Sequence, residues 1–295
     1  MSKLLDPKVL IAIKDLSLAA KTTIDGFMEG INKSVIKGPG MEFSQYRSYQ
    51  PGDDLRSLDW KMFARSDRYY IRESEVETSI SVRFLIDASN SMNHEDGGYT
   101  KIEYAKYLAA SLAYLSSLQG DAVGLYVMQK GNVFSLSSKR DKQHLSRFFY
   151  FLETIKPSGN FVEPVQYKNI FNSNTRRELL IFITDFYEQH DEIMQMLYSL
   201  VSLKHEIVVF TLLGRNEQDL DYSGYTKLED LETGETVSIG EGAAKKLYQQ
   251  QLEDRLTLIR KQMLNKNIFH RVLTMDEPLD KALRDFLNQR NKIRG

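Results

Sequence analysis

The sequence predicts an α/β fold built on a doubly wound, mostly parallel sheet. From Val82 onward, short apolar runs of strand length alternate with longer segments whose apolar residues recur at helical spacing. Strands separated by helices of this length are typical of a parallel sheet that carries helices on both faces. Two of the runs, Phe84–Ile86 and Leu179–Ile183, pass abruptly into polar residues. Such endings indicate buried strands that deliver polar side chains to the carboxyl edge of the sheet.

Composition and charge limit the classes of function. The chain has 295 residues, of which 42% are hydrophobic and 27% are charged, and its formal net charge is −1. This balance is that of a globular protein with no broad attraction to nucleic acid or to an anionic membrane. The absence of cysteine excludes disulfides, thiolate metal sites and cysteine nucleophiles. Since no apolar stretch approaches the ~20 residues that span a bilayer and the N-terminus lacks signal-peptide features, we expect a cytoplasmic protein with no membrane span.

Residues 1–75 are predicted to form an extension that packs on a main domain at 76–295. A helix is expected to begin at Asp6-Pro7, which has the pattern of an N-cap followed by a proline in the first turn, and to end near Ile24. Residues 31–75 then mix aromatic with charged side chains, which indicates an irregular segment.

The main domain follows a regular alternation of elements, interrupted by one hairpin predicted at about 215–240. Upstream of it, Tyr69–Ile71 and Val76–Ile86 have the composition of strands and are candidates for a second hairpin. The expected strands are 82–87, 122–128, 133–136, 178–184, 206–213 and 268–274, and the expected helices are about 100–118, 140–155, 162–171, 190–203, 241–266 and 277–290.

The two strand endings predict one shared cation site. Asp87, Ser89 and Ser91 alternate directly after the first strand, and Asp185 follows the second. In open parallel sheets, ligands gather at the carboxyl ends of strands where the strand order reverses. All four side chains offer hard oxygen atoms, which suit Mg²⁺ or Mn²⁺ rather than zinc or copper. Neutral hydroxyls would leave the ion able to bind a further carboxylate from another protein. The competing interpretation is that Asp87 caps the next helix while the serines bond loop backbone groups.

Several motifs resemble known families. Asp87-Ala88-Ser89-Asn90-Ser91-Met92 and Thr184-Asp185 are similar to the metal-ion-dependent adhesion site of von Willebrand factor A domains. Further motifs are Gly40-Met41-Glu42-Phe43, Arg47-Ser48-Tyr49, Gly52-Asp53-Asp54, Arg56-Ser57-Leu58-Asp59-Trp60, Ala64-Arg65, Asp230-Leu231-Glu232-Thr233-Gly234-Glu235, and Leu283, Phe286, Leu287 and Arg290 near the C-terminus. With these motifs, essentially the whole chain resembles the family called domain of unknown function 58.

The resemblance implies a cytoplasmic von Willebrand A-like adaptor that works with a MoxR-type AAA+ ATPase in the chaperone-like maturation of client proteins. A partner or client would present an Asp or Glu to the bound metal ion. One position departs from the pattern, because A domains usually supply a threonine ligand from the loop that here contains Ser158 and Asn160. Asn160 is therefore an uncertain fifth ligand, with Ser158 as the other option.

Two other hypotheses remain open. The first is a metal-dependent phosphohydrolase that uses Asp53, Asp54, Asp87 and Asp185. Against it, the arginines near Asp53 favour structural ion pairs, with Trp60 as a core anchor. The sequence also has no Gly-x-Ser-x-Gly elbow for a serine nucleophile and no Walker A motif for nucleotide hydrolysis. We therefore expect no enzyme activity. The second is a purely structural protein whose site stays empty.

The histidines do not have the spacing of metal ligands. They are His94, His144, His190, His205 and His270.

Overall fold

The computed structural model describes residues 7–33, 45–50, 58, 60–73, 79–129, 132–161, 167, 177–187, 191–220, 227–229, 236–238 and 243–294. The chain forms two compact units, one of Met1–Gly30 with Ser79–Gly295 and one of Ile31–Thr78. The N-terminal helical segment therefore groups with the sheet, while 31–78 forms a unit of its own. The predicted packing of an extension on the main domain stays a prediction.

The described elements follow the expected alternation. In chain order they are α1 (Pro7–Ala12), α2 (Leu16–Lys33), β1 (Gln45–Ser48), α3 (Trp60–Ser66), β2 (Tyr70–Glu73), β3 (Ser81–Asp87), a 3-10 turn (Asn90–Asn93), β4 (Glu95–Asp96), β5 (Tyr99–Thr100), α4 (Lys101–Leu118), β6 (Ala122–Gln129), β7 (Asn132–Lys139), α5 (Lys142–Thr154), β8 (Leu179–Thr184), α6 (Glu192–Ser202), β9 (Glu206–Leu213), α7 (Arg215–Asp219), β10 (Lys227–Glu229), β11 (Thr236–Ser238), α8 (Ala243–Asn265), β12 (Phe269–Thr274) and α9 (Asp280–Arg294).

The central sheet has six strands in the order β12-β9-β8-β3-β6-β7. All neighbouring pairs are parallel except β6 with the edge strand β7. The chain runs from β3 outward to β6 and β7 and then crosses to β8 on the other side of β3. This reversal places the topological switch point between β3 and β8. The topology confirms the predicted α/β fold with a doubly wound, mostly parallel sheet.

Both faces of the sheet are covered, which explains why the central strands are continuous apolar runs. Every residue of β8 is buried. On one face, Leu85 and Phe182 belong to a cluster with residues of α6 and α8, such as Leu197 and Met263. On the other face, α4 contacts β3 and β6, and the ring of Phe84 meets that of Phe148 of α5 at 5.4 Å. None of the helices in the described ranges is long and apolar enough to cross a membrane.

Several predictions about the N-terminal part are wrong. The single helix to Ile24 is instead two helices, because the chain turns at 13–15 and the Asp15 carboxylate accepts a bond from the Leu18 amide at 2.8 Å, which starts α2. The hairpin of Tyr69–Ile71 with Val76–Ile86 is also wrong. Strand β2 pairs antiparallel with β1, whereas both edges of β3 are occupied by β8 and β6.

Trp60 is not the predicted core anchor. Its side chain is 61% exposed and meets the ring of Phe63 edge-on at 6.3 Å. Phe63 instead stacks on Tyr69 at 4.5 Å within the same small unit.

The inserted hairpin is confirmed, since β10 and β11 pair antiparallel within the predicted segment. Other predictions fall on residues outside the described ranges. These are the helix at about 162–171 apart from Tyr167, the aspartates Asp53, Asp54 and Asp59, and His190. The phosphohydrolase hypothesis, which needs Asp53 and Asp54, therefore stays untested.

Candidate metal centre at the sheet edge

The carboxyl ends of β3 and β8 lie side by side at the switch point. Strand β3 ends at Asp87 and β8 ends at Thr184, one residue before Asp185. The two strands pair in parallel register through Ile86 and Ile183, so the residues that follow emerge at the same edge. This is the position at which open α/β sheets hold their ligands.

Asp87 is fully buried and accepts hydrogen bonds on both carboxylate oxygens. Its Oδ1 accepts from the Ser89 amide at 2.9 Å and from the Ser89 hydroxyl at 2.7 Å. Its Oδ2 accepts from the Thr184 hydroxyl at 2.6 Å. Burial, the largest cause, and the charge of Asp185 together raise the pKa of Asp87 to about 7, against the opposing effect of these hydrogen bonds. Two carboxylates thus share a site of low dielectric, where an added cation would favour the ionised form of both.

A continuous row of close oxygen–oxygen contacts links Asp87 to Asp185. The hydroxyls of Ser89 and Ser91 are 3.0 Å apart, and the Ser91 hydroxyl donates to Asp185 Oδ1 at 3.1 Å. The Tyr187 amide donates to the same oxygen at 3.2 Å. The structure therefore brings together four of the five predicted ligands in one cluster.

The donor set fits a hard cation. Carboxylates and hydroxyls are the ligand types that Mg²⁺ and Mn²⁺ prefer. The cluster is poor in charge, since two of its four side chains are neutral. Consistent with this, the described part of the chain has no group of three or more His, Cys, Asp or Glu side chains arranged as a metal site.

The loop that carries Asn160 touches the site through its backbone. The Ser158 amide donates to the Ala88 carbonyl at 2.9 Å, and the Asn90 amide donates to the Gly159 carbonyl at 2.6 Å. Gly159 has a φ of +66°, a conformation that favours glycine. The hydroxyl of Ser158 accepts a bond from the Gln129 side chain. Asn160 as a ligand stays a prediction.

Lys101 is a member of the cluster that sequence reasoning missed. Its Nζ lies 3.0 Å from Asp185 Oδ2 and 2.8 Å from Glu217 Oε1, and the lysine side chain is only 4% exposed. Burial lowers the pKa of Lys101, but the charges of Asp185 and Glu217 outweigh this and raise it. Lys101 is the first residue of α4, where the helix dipole disfavours a cation. That unfavourable position is the one local signal that a carboxylate partner is nearby.

Glu217 belongs to α7, the short helical turn that follows β9. Its Oε2 accepts from the Gly214 amide at 2.6 Å and lies 3.9 Å from Nε2 of His94. His94 Nε2 also lies 2.8 Å from Asn216 Oδ1, so this histidine joins the loop after β3 to the turn after β9. The turn is thus joined to the loop after β3 by the contact of His94 with Asn216 and to the start of α4 by the Lys101–Glu217 ion pair.

The remaining described histidines have ordinary roles. His144 bonds the Val123 carbonyl at 2.8 Å, His205 accepts from the Glu178 amide at 3.2 Å, and His270 bonds the Thr211 hydroxyl at 2.9 Å.

Comparison with known proteins places the chain in a family. The model of the family described as "Protein of unknown function DUF58" matches residues 45–256. The chain belongs to the DUF58 family. The chain is also similar to uncharacterized proteins of Mycobacterium bovis and Mycobacterium tuberculosis. Each is 25% identical to this chain over 232 residues, which cover 78% of this DUF58 chain and 73% of the relative.

The chain is similar to several solved structures. The conserved hypothetical protein BatB from Bacteroides thetaiotaomicron matches with a TM-score of 0.50 at 20% identity, over 73% of this chain and 98% of that one. An aerotolerance-related membrane protein from Bacteroides fragilis matches with a TM-score of 0.46 at 17% identity, over 72% of this chain and 100% of that one. The VWA domain of SpRpn10 matches with a TM-score of 0.40 at 13% identity, over 72% of this chain and 95% of that one. The fold of this DUF58 protein is von Willebrand A-like.

Proposed function

We propose that this DUF58 protein is an adaptor that binds other proteins through a metal ion. Asp87, Ser89, Ser91 and Asp185, with Asn160 as the uncertain fifth ligand, would hold Mg²⁺ or Mn²⁺ at the carboxyl edge of the sheet. The ion, as a Lewis acid, would bind the carboxylate of an Asp or Glu of the partner. A von Willebrand A-like fold favours such a protein-interaction role.

The observation that carries this proposal is the row of close oxygen–oxygen contacts from Asp87 through the two serines to Asp185. It joins four hard-oxygen side chains from two neighbouring strand ends at the switch point. If Asp87 only capped a helix, its carboxylate would bond the first turn of α4. That turn is instead capped by Thr100 and Glu103, which form a reciprocal capping box. The contacts of Asp87 therefore do not support its interpretation as the cap of α4.

The proposed partner is a MoxR-type AAA+ ATPase, acting with this protein in the maturation of clients. The support for it is the family resemblance together with the chemistry of the site, which suits an exposed carboxylate on the partner's surface.

Purified components test the proposal. The wild-type protein and a MoxR-type ATPase from the same organism are mixed, and binding is followed by biolayer interferometry in Mg²⁺ and in EDTA. We expect binding in Mg²⁺, loss of binding in EDTA, and recovery when excess Mg²⁺ is restored. Asp87→Ala should bind as weakly in Mg²⁺ as the wild type does in EDTA, because it removes a carboxylate from the ligand set.

Asn93→Ala is the matched control. Asn93 is exposed and lies beside the site, where its side-chain amide donates to Asn90 at 2.9 Å. It is not one of the side chains in the row of contacts from Asp87 to Asp185. It should bind as the wild type does. Equal binding by Asp87→Ala and wild type, or binding that is indifferent to EDTA, would show that the metal site is not the contact.

A further inference from the structure

The candidate metal centre already contains a cation, the ammonium group of Lys101. The ammonium contacts the carboxylates of Asp185 and Glu217, and the charge of Asp185 in turn acts on Asp87. The Asp185 side chain is 2% exposed and that of Glu217 is 21% exposed. Lys101 therefore neutralises part of the charge to which a divalent ion would be attracted, and it does so from within the protein.

We propose that Lys101 is a built-in competitor of the divalent cation and that it sets the metal affinity of the site by its hold on Asp185. This inference rests on the proposed function, since it concerns the same site. A metal ion that binds Asp185 must compete with Lys101, which already neutralises part of the charge of that carboxylate. Asp87, the other carboxylate, is not contacted by Lys101 in the structure; its hydrogen-bond donors are Ser89 and Thr184.

Glu217 gives Lys101 an alternative partner when the metal ion takes Asp185. Its position is fixed independently of Lys101, because its second oxygen accepts from the Gly214 amide. The buried ammonium can therefore release Asp185 and remain paired, which avoids leaving a buried charge without a counter-ion. Without Glu217, Asp185 would be the one carboxylate partner left to Lys101 among the described residues, and metal binding would become harder.

The inference predicts changes of opposite sign in two variants. Lys101→Met should tighten Mg²⁺ binding about tenfold or more, because it removes a positive charge in contact with a ligand carboxylate. Glu217→Gln should weaken Mg²⁺ binding, because Lys101 then relies on Asp185 alone. Both are measured by calorimetric titration of MgCl₂ into the full chain at physiological salt, which screens distant charges.

Lys106→Met is the matched control for net charge. Lys106 lies on the same helix, and its ammonium donates to the backbone carbonyls of Glu153 and Ile155 at 3.2 and 2.8 Å rather than to a site carboxylate. Its Mg²⁺ affinity should stay near the wild-type value. Lys101→Arg, which keeps the charge, should not gain affinity. If Lys101→Met folds only when Mg²⁺ is present, as followed by circular dichroism, that rescue also supports competition.

The outcomes separate this inference from the proposed function. If the wild type binds Mg²⁺ and Lys101→Met binds no tighter, or if Lys106→Met tightens equally, Lys101 is not a competitor, although the metal site stands. If only Lys101→Met binds, competition is supported, and the proposed metal dependence of the wild type fails. If neither binds Mg²⁺, both are overturned.

Discussion

At the scale of single residues, Thr184 organises the site although it is not one of the proposed ligands. It is fully buried at the end of β8. Its hydroxyl donates to Asp87 Oδ2 at 2.6 Å and accepts from the Phe186 amide at 2.8 Å. It thereby joins the end of β8 to the end of β3 and orients the Asp87 carboxylate toward Ser89.

Thr184→Val should destabilise the fold and weaken metal binding. The substitution keeps the β-branched shape but leaves the Phe186 amide and an Asp87 oxygen buried without this partner, at a cost of about 1–3 kcal/mol for each group. Urea unfolding should therefore show a loss of at least about 1 kcal/mol in the free energy of unfolding, and Thr184→Ser should recover most of it. A valine variant as stable as the serine variant would mean that the hydroxyl does not hold the two strand ends together.

At the scale of elements, helix α9 is fixed to the sheet by a buried ion pair. Arg290 donates to Asp121 through Nε and through Nη2, the latter at 2.8 Å, and the two side chains are 1% and 0% exposed. Asp121 Oδ1 also accepts from the Ile80 amide at 3.1 Å, just before β3. Leu283 and Phe286 are fully buried on the same helix. The C-terminal motif of the sequence is thus the face by which α9 packs.

Arg290→Met should destabilise the protein by about 3–5 kcal/mol, because it leaves the Asp121 carboxylate buried without its counter-ion. Arg284→Met is the control on the same helix. Arg284 is exposed, and its guanidinium lies 5.6 Å from the centre of the Phe27 ring, so its loss should cost under about 1 kcal/mol. Both are compared by chemical unfolding. Equal effects would argue against a special role for the buried pair.

At the scale of the whole molecule, the strand order explains why the site lies where it does. The reversal between β3 and β8 brings two strand ends together that are far apart in the chain. The sequence predicts the positions of these two strand ends well. A buried parallel strand has a recognisable apolar run, and the polar residues that follow parallel strands emerge at the same edge of the sheet.

The parts that the sequence did not predict depend on distant contacts. Lys101 meets Asp185 and Glu217 across separations of 84 and 116 residues, which no local periodicity reveals. The sequence predicts Trp60 as a core anchor of its segment, yet the side chain is exposed. The pairing of β2 with β1 depends on which sheet edges are free, and that is known only once the neighbours of β3 are known.

The global stability should fall as the pH is lowered from about 6.5 toward 4, in part through His270 on the edge strand β12. Burial, the larger cause, and the charge of Arg260 together lower the pKa of His270 to about 4. An unfolded histidine titrates near about 6.5, so the unfolded chain binds more protons between these values, and protonation then favours unfolding. At pH 5 the contribution is a loss of about 2 kcal/mol relative to pH 7.5.

His270→Gln isolates this contribution, because glutamine can bond Thr211 but does not titrate. The difference in the free energy of unfolding between wild type and variant, measured by urea titration, should shift by about 2 kcal/mol in favour of the variant between pH 7.5 and pH 5. A difference that does not change with pH would mean that His270 titrates alike in the folded and unfolded chain.

The central claim is that the carboxyl edge of the sheet binds a divalent cation, and anomalous diffraction from crystals grown with Mn²⁺ tests it most directly. Mn²⁺ prefers the same oxygen ligands as Mg²⁺ and is visible at its own absorption edge. We predict one strong anomalous peak among the oxygens of Asp87, Ser89, Ser91 and Asp185, absent from crystals of Asp87→Ala. A wild-type crystal at saturating Mn²⁺ with no peak there, or with the ion bound only elsewhere, would contradict the account.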